Sequence, residues 1–233
     1  VKSNKPNPRM TQEEIVQQLL SKGEYHTEKS IKFRSGKELE VRLHIIAVKD
    51  EQNRIINYIG ILSDLTEHKL KERRLSYLEN YDPLTDLPNR FYYNYQLHLY
   101  LISQQDSLQQ LAVIRLNIDR FRPLNEYLSN NGGDELLRQV AQRLRITNAE
   151  ALIVAHLNGD DFAIVYEISH IRPSIEQHCE RITKAFNVPF NVQGQEHIIT
   201  LSMGVSLYPE HGRQLDYLNN CAEQALSEAK RLG

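Results

Sequence analysis

The chain of 233 residues has no tryptophan, only two cysteines, two methionines and a formal net charge of -2. Cys179 and Cys221 stand apart from each other and from any Cys/His cluster, which argues against a disulfide framework or a structural zinc site. The balanced charge gives no basis for binding nucleic acid or an anionic membrane surface. No apolar run approaches the roughly 20 residues that cross a bilayer. We therefore expect a cytoplasmic chain without a membrane segment, in a protein whose full length could still be membrane-attached.

The chain does not begin with methionine, and its last residues continue a helical pattern. We therefore expect a piece of a longer protein. Its apolar content of 40% is enough for one core of ordinary size beside a smaller one, so two units are predicted.

The first part of the chain is predicted to be a small antiparallel sheet. Apolar and polar residues alternate between residues 24 and 63, which predicts three consecutive strands. A short helix is predicted before them, from Thr11 to Leu20. Asp64 is predicted to cap a following helix that ends near Asn80, with Glu67 completing a capping box. Three strands and one helix bury little surface, so this unit needs further chain or a second copy.

After Tyr81 the pattern changes to alternating helices and strands. Strands are predicted at residues 111–118, 152–157, 162–166 and 197–207, and apolar residues at helical spacing from Leu136 to Leu144 predict a helix between the first two. The resulting β-α-β-β-α-β order indicates an α+β protein with a ferredoxin-like sheet. Its helices are predicted to pack on one face of that sheet.

Six short motifs in this second part resemble, in order and spacing, those of GGDEF domains, which are nucleotidyl cyclases. They are residues 82–90 (DPLTDLPNR), 117–125 (NIDRFRPLN), 133–137 (GDELL), 158–162 (NGDDF, called the signature below), 202–206 (SMGVS) and 228–230 (EAK). In the family the GDELL-like motif begins a helix, so the resemblance implies a helix start at Gly133. The resemblance implies a GGDEF domain over residues 81–233. The signature is degenerate, because Asn158 replaces its first glycine.

Residues 11–66 resemble the C-terminal half of a PAS domain with its PAC strands, ending in the DxT junction Asp64-Leu65-Thr66. The resemblance implies a partial PAS/PAC domain at 1–66 and a signalling linker helix at 67–80, with a homodimer formed through both. The helices that wall a PAS ligand pocket are missing, so neither haem nor flavin is expected.

Intact GGDEF domains join two GTP molecules into cyclic di-GMP with the help of divalent cations. The resemblance implies metal ligands at Asn117, at the Ile118 backbone and at Asp160, and a possible catalytic role for Asp161. An amide oxygen carries no charge, so Asn117 is expected to weaken a site for Mg²⁺ or Mn²⁺. Asp161 is one methylene shorter than the glutamate of the family.

Nucleotide recognition is better preserved than the metal site. The resemblance implies that Asn125 and Asp134 recognise guanine, an arrangement in which an amide and a carboxylate match the donors and acceptors of the base. The residues implied in contacts with the rest of the nucleotide are Phe121, Arg122, Gly159 and Lys230. The RxxD motif for feedback by product would fall on Ala149 and Leu152, which do not fit it.

Three functions remain open. The leading hypothesis is a degenerate GGDEF domain that binds GTP and regulates an attached module, such as an EAL phosphodiesterase, or a partner. The alternatives are an active diguanylate cyclase, with Asp119 substituting for the lost carboxylate on the same strand face, and a PAS-linked dimerisation scaffold without a nucleotide role.

Overall fold

The computed structural model describes residues 12–33, 36, 38–103, 110–168 and 174–232, without the side chains of residues 12–14, 129 and 130. The predicted helix start at Thr11 therefore lies outside the described residues. The chain divides into two compact units, Val1–Leu75 and Ser76–Gly233, and each is described by itself.

The first unit is a helix beside a three-stranded antiparallel sheet, as the alternation predicted. Its elements are α1 (Gln12–Lys22), β1 (Glu24–Lys32), β2 (Glu38–Lys49) and β3 (Ile55–Asp64). The strands pair in the order β1-β2-β3. Leu19, Tyr25 and Val41 are its buried apolar residues among those described. Most of β3 is exposed, with Ile56 and Leu62 at 64% and 63%, so this sheet keeps uncovered apolar surface.

The junction Asp64-Leu65-Thr66 anchors the next helix, α2 (Thr66–Asn80), to β2. Thr66 N donates to the Asp64 carboxylate at 2.8 Å, while Thr66 Oγ1 accepts from Glu40 N at 3.0 Å. The prediction that Asp64 caps the helix is confirmed, because its carboxylate accepts from an N–H of the first turn. Glu67, predicted to complete a capping box, forms an ion pair with Lys71 one turn along α2.

Ion pairs also fasten the first turns of α2 to its sheet. Lys69 Nζ lies 2.8 Å from Glu28 Oε2, and Arg73 Nη2 lies 2.9 Å from Glu40 Oε1. The hydrogen bond from Lys69, supported by one from Arg42, lowers the pKa of Glu28 to about 2. Because these groups are solvent-exposed, the pairs orient the helix more than they stabilise the unit.

The second unit contains the predicted order of helices and strands. Its elements are α3 (Arg90–Ser103), β4 (Gln110–Ile118), α4 (Phe121–Thr147), β5 (Ile153–Asn158), β6 (Asp161–Ile168), α5 (Ile175–Phe186), β7 (Phe190–Val192), β8 (Gln195–His197), β9 (Leu201–Tyr208) and α6 (Leu215–Leu232). Four strands form an antiparallel sheet in the order β5-β6-β4-β9, and β7 and β8 form a separate hairpin. The ferredoxin-like α+β class is confirmed.

Helices cover both faces of this sheet, so the prediction that they pack on one face is wrong. Ile114, Leu116 and Phe162 face a core that includes α4 and α5. Val113 and Val165 face a second core that includes α3 and α6. β4 is consequently buried along almost its whole length, and its sequence lacks the polar alternation of a half-exposed strand.

Two predicted boundaries also differ. α4 has no separate start at Gly133; it is helical from Phe121. His197 belongs to β8, and the last sheet strand begins at Leu201, because the chain leaves the β7-β8 hairpin before it joins the sheet. Both differences come from tertiary context that local periodicity does not report.

Close packing against α6 explains the glycine in the SMGVS motif. A Cβ added at Gly204 on β9 would lie 2.1 Å from Ala222 O and 2.2 Å from Leu226 N, both backbone atoms of α6. Only glycine therefore allows this helix to approach the sheet as closely as it does. That approach brings the C-terminal turn of α6, with Lys230, toward the site described next.

Candidate nucleotide site

The candidate site lies where β4 turns into α4. Arg120 adopts φ 54° at this turn, a left-handed conformation uncommon for a residue other than glycine. Asp119 is held beside it, since its carboxylate accepts hydrogen bonds from Thr200 Oγ1 and Ser202 Oγ, each at 2.6 Å. The start of α4 has no side-chain cap, so its first N–H groups, from Phe121 onward, point at the site as an anion-binding helix terminus does.

An open cavity of about 780 Å³ lies in front of this helix start. Arg120, Arg122 and Lys230 contribute positive charge to its lining, and Asp119 and Asp160 contribute negative charge. The Arg122 side chain is 92% exposed, with Nε 3.3 Å from Glu126 Oε1, and Lys230 is also exposed. Two cations on solvent-facing side chains beside a helix N-terminus suit the phosphates of a nucleotide.

Asn125 lies against Gly133, the residue before Asp134, although Asn125 and Asp134 are nine positions apart in the sequence. A Cβ added at Gly133 would lie 1.6 Å from Asn125 Oδ1, so the Asn125 amide rests on the bare backbone next to Asp134. Eight residues of straight α-helix would separate positions 125 and 133 by about 12 Å. The helical stretch α4 must therefore bend sharply between them, where the sequence contains Asn131, Gly132 and Gly133.

Both of these side chains are half-buried and polar. With the residues that the structure describes, neither the Asn125 amide nor the Asp134 carboxylate forms a hydrogen bond or an ion pair. This pair is therefore available to a ligand.

The signature forms the tight turn between β5 and β6. Gly159 adopts φ 49°, and Asn158 is not among the positive-φ residues, so the glycine that the turn needs is the one that the chain retains. Asn158 pairs with Asp161 across this hairpin, Asp161 pairs with Asn117 on β4, and Asn117 pairs with Ser202 on β9. Register alone thus places four polar residues in one row across the sheet.

Side chains in this row are hydrogen-bonded to one another. Asn117 Nδ2 donates to Asp161 Oδ1 at 2.5 Å, and Asn117 is only 5% exposed. Asn158, with its amide oriented to satisfy both neighbours, donates to Asp161 Oδ2 at 3.1 Å and accepts from Arg90 Nη2 at 3.1 Å. Both oxygens of Asp161 therefore have amide donors. We call the four residues Arg90, Asn117, Asn158 and Asp161 the amide network.

The remaining implied metal ligands are Asp160 and the Ile118 backbone. Ile118 N donates to Asp160 O at 3.3 Å, and the Asp160 side chain lines the cavity. Within the described ranges, no group of three or more His, Cys, Asp or Glu side chains is placed to hold a metal ion. Asp119, the carboxylate expected as a substitute on the same strand, accepts one hydroxyl hydrogen bond on each of its two oxygens.

His156 connects the signature to the DPLTDLPNR motif. Its Nδ1 lies 3.0 Å from Asp82 Oδ1, its Nε2 lies 2.8 Å from Gly159 O, and its ring stacks on Phe162. Burial raises the pKa of Asp82, but hydrogen bonds from His156 and Thr85 outweigh burial, so the net pKa is lowered. Both ring nitrogens thus contact protein oxygens, which fixes the imidazole between the two motifs.

Comparison with protein families matches residues 79–233 to the family described as diguanylate cyclase, GGDEF domain. The chain belongs to the GGDEF family. The match covers the whole candidate site, from Arg90 to Lys230. The resemblance seen in the motifs is confirmed.

Relatives of this GGDEF chain take part in cyclic di-GMP signalling. The cyclic di-GMP phosphodiesterase NbdA of Pseudomonas aeruginosa is 32% identical over 161 residues, which are 68% of this chain and 20% of that protein. The diguanylate cyclase TpbB of Pseudomonas aeruginosa is 31% identical over 158 residues, which are 67% of this chain and 36% of that protein. The chain thus spans only about a fifth to a third of these relatives.

A solved structure has the same domain. The sensory box/GGDEF family protein from Caulobacter crescentus superposes with a TM-score of 0.61 at 33% identity, covering 66% of this chain and 99% of that one. The fold over residues 81–233 is therefore the nucleotidyl cyclase fold of GGDEF domains. In the described part of the chain, no helix is both long and apolar enough to cross a membrane.

The structure brings most of the implied site residues to one cavity. Those lining it are Asn117, Ile118, Phe121, Arg122, Asp160 and Lys230. Sequence reasoning missed Arg90 and the contact of His156 with Asp82. The hairpin register contained part of this information, since a two-residue turn at Gly159 and Asp160 makes Asn158 face Asp161.

Proposed function

We propose that residues 81–233 are a degenerate GGDEF domain that binds GTP, makes little or no cyclic di-GMP, and regulates an attached or partner module. One observation carries this proposal. The Asn125 and Asp134 side chains have no partner among the described residues, whereas Asp161 is fully engaged by Asn117 and Asn158. This contrast supports base recognition with weak or absent chemistry, because the proposed base-binding groups are open and the proposed catalytic carboxylate is hydrogen-bonded to protein groups.

The base-recognition argument is chemical. The Asp134 carboxylate can accept hydrogen bonds from the N1–H edge of guanine, and the Asn125 amide can pair with the N3/N2 edge. Adenine offers neither donor in these places, so a preference for GTP over ATP is expected. The triphosphate would meet the first amides of α4 at Phe121, the cation of Arg122, the signature turn at Gly159 and Lys230.

Cyclase chemistry is less well supported. The family uses GTP with divalent cations, which activate a 3′-hydroxyl and stabilise charge on phosphate. Asn117 supplies no charge, and its amide nitrogen is committed to Asp161. A site with Asp160 as its one uncommitted carboxylate fits two cations poorly, so we assign no catalytic step to a metal here. The possible catalytic role of Asp161 would require that its amide donors release it.

The test measures binding and turnover on one sample. The 233-residue chain is titrated with GTP and with ATP by calorimetry, then incubated with GTP and either Mg²⁺ or Mn²⁺, and the nucleotides are separated by chromatography. We expect GTP binding and no cyclic di-GMP peak. A product peak that disappears in Asp160→Ala would make the chain an active cyclase, and absence of GTP binding at millimolar nucleotide would leave the scaffold function.

The first part of the chain is proposed to be the second half of a PAS domain at 1–66, joined to the GGDEF domain by the signalling helix at 67–80. The anchoring of Thr66 to Glu40 supports this assignment, because it fixes the start of the helix to the sheet. Similarity to a cyclic di-GMP phosphodiesterase, of which this chain covers only 20%, supports the proposal of an attached phosphodiesterase module such as an EAL domain. Neither haem nor flavin is proposed for residues 1–66.

A homodimer through the sheet and α2 is part of the same proposal. α2 has no buried residue, and Leu70, Leu75 and Leu78 are 56%, 62% and 43% exposed. A second copy would cover these side chains together with the apolar surface of β3. Sedimentation of the chain should therefore give a dimer, and Leu75→Asp should shift it toward the monomer.

A further inference from the structure

The amide network consists largely of the residues at which this chain departs from its family. Asn117 stands in place of an aspartate, Asn158 in place of a glycine and Asp161 in place of a glutamate. These three side chains are bonded to one another: Asn117 to Asp161 at 2.5 Å, and Asn158 to Asp161 at 3.1 Å. Arg90 closes the network with a 3.1 Å bond to the Asn158 oxygen. The three departures therefore form one cooperative arrangement.

Charge explains why the departures belong together. Two carboxylates at positions 117 and 161, on paired strands and at hydrogen-bond distance, would repel each other unless a cation lay between them. An amide at 117 removes one negative charge and supplies an N–H donor to the other. Asn158 supplies a second donor, so the remaining carboxylate is satisfied by protein alone.

We propose that the amide network takes the place of a divalent cation at the signature, so that a nucleoside triphosphate binds this domain without Mg²⁺ or Mn²⁺. The nucleotide part of this inference rests on the proposed GTP binding; the cation part stands independently. The site retains means to attract phosphate without a metal, namely the uncapped start of α4 and the exposed cations Arg122 and Lys230.

The cation part is tested without nucleotide, by thermal unfolding in EDTA and in millimolar Mn²⁺ or Mg²⁺. The wild-type midpoint should be the same in all three solutions. Asn117→Asp should unfold about 5 °C lower in EDTA, because it places two carboxylates side by side, and Mn²⁺ should restore much of that loss. A saturable rise of several degrees in the wild type on adding either cation would overturn the inference.

The matched control exchanges the two groups. The double variant Asn117→Asp/Asp161→Asn places the carboxylate on β4 and the amide on β6, so one carboxylate again faces one amide. Its midpoint in EDTA should recover most of the loss, and the cation response should disappear. A double variant as sensitive to Mn²⁺ as Asn117→Asp would contradict the inference. If Asn117→Asp does not fold, the response of the wild-type unfolding midpoint to added cation still decides the question.

The nucleotide part compares the GTP dissociation constant in EDTA and in Mg²⁺ on the wild-type chain. The two values should agree within about threefold, a difference of less than 1 kcal/mol by the relation between affinity and free energy. Binding in Mg²⁺ alone would overturn the inference and leave the proposed function intact. Binding in neither solution, with an unfolding midpoint insensitive to cations, would overturn the proposed function and leave the amide network as the cation's substitute.

Discussion

The two ends of the candidate site treat their polar groups in opposite ways. At the signature end, the Asp161 carboxylate accepts from Asn117 and Asn158, and His156 joins the turn to Asp82. At the base end, which consists of Asn125, Gly133 and Asp134, the two polar side chains have no partner among the described residues. One end is satisfied by the protein, and the other is open to a ligand.

This difference bears on function because substituting a polar group that is hydrogen-bonded to protein and substituting one that is not have different effects. Satisfied buried networks stabilise a fold, and removing one member leaves the others without partners. Unengaged groups contribute little to the folded state but supply specificity when a ligand meets them. Substitutions at the signature end should therefore change stability, and those at the base end should change affinity.

The largest expected effect is on affinity, from Asp134→Ala. Loss of a carboxylate that accepts hydrogen bonds from guanine should weaken GTP binding about 100-fold, or about 2.7 kcal/mol, within the range for hydrogen bonds to charged groups. Calorimetry with GTP and ATP measures it, and ATP binding should change little. Glu135→Ala, one residue further along α4, is the control. An equal loss for both nucleotides would show that Asp134 does not recognise the base.

Gly133→Ala should weaken GTP binding about 10-fold, or about 1.4 kcal/mol, because the added methyl group would lie 1.6 Å from Asn125 Oδ1 and displace the amide. A double-mutant cycle with Asn125→Ala isolates the cause. In the Asn125→Ala background, Gly133→Ala should have no further effect on GTP affinity. A full additional loss there would mean that the glycine acts through the shape of α4 and not through Asn125.

The signature end should respond to acid. The pKa of Asp82 is lowered in the folded chain, so its stabilising contribution is complete above the unfolded pKa of an aspartate and is lost as the pH falls through the lower folded pKa. Unfolding midpoints measured from about pH 7 to about pH 3 should show wild type falling toward Asp82→Asn. A difference between the two chains that stays constant through the acid range would contradict this account.

Much of the fold could be predicted because the signals were local. Alternation predicted the strands of the first unit, apolar runs such as residues 111–118 predicted strands of the second unit, and helical periodicity predicted the apolar stripes of α3, α5 and α6. The start of α4 was missed because Phe121 begins a helix at a left-handed Arg120, a conformation without a sequence signal in an arginine. Coverage of both sheet faces was missed because periodicity reports a buried face, not the element that covers it.

The sequence predicted which residues belong to the candidate site but not the hydrogen bonds between them. Motif spacing indicated that Asn117, Asp160 and Asp161 belong to one site, and Asn117 and Asp161 were interpreted as separate departures from the family. Their relation depends on sheet register, which places Asn158, Asp161 and Asn117 in one row. A side-chain hydrogen bond between strands forty-four residues apart in sequence has no local pattern. The sequence alone therefore does not distinguish an asparagine at 117 that only removes a metal ligand from one that also bonds to the Asp161 carboxylate.

The smallest expected effect is that of Lys230→Ala at the rim of the cavity. This side chain is exposed, and an exposed charge contributes only about 0.5–1 kcal/mol, so GTP affinity should fall about two- to fivefold. The loss should shrink as salt is raised, because screening weakens exposed charges most. The midpoint of unfolding should not change. GTP titrations at low and high salt measure this loss of affinity. Lys184→Ala, on the exposed surface of α5, is the control. A loss that does not depend on salt would instead assign Lys230 a direct and desolvated phosphate contact.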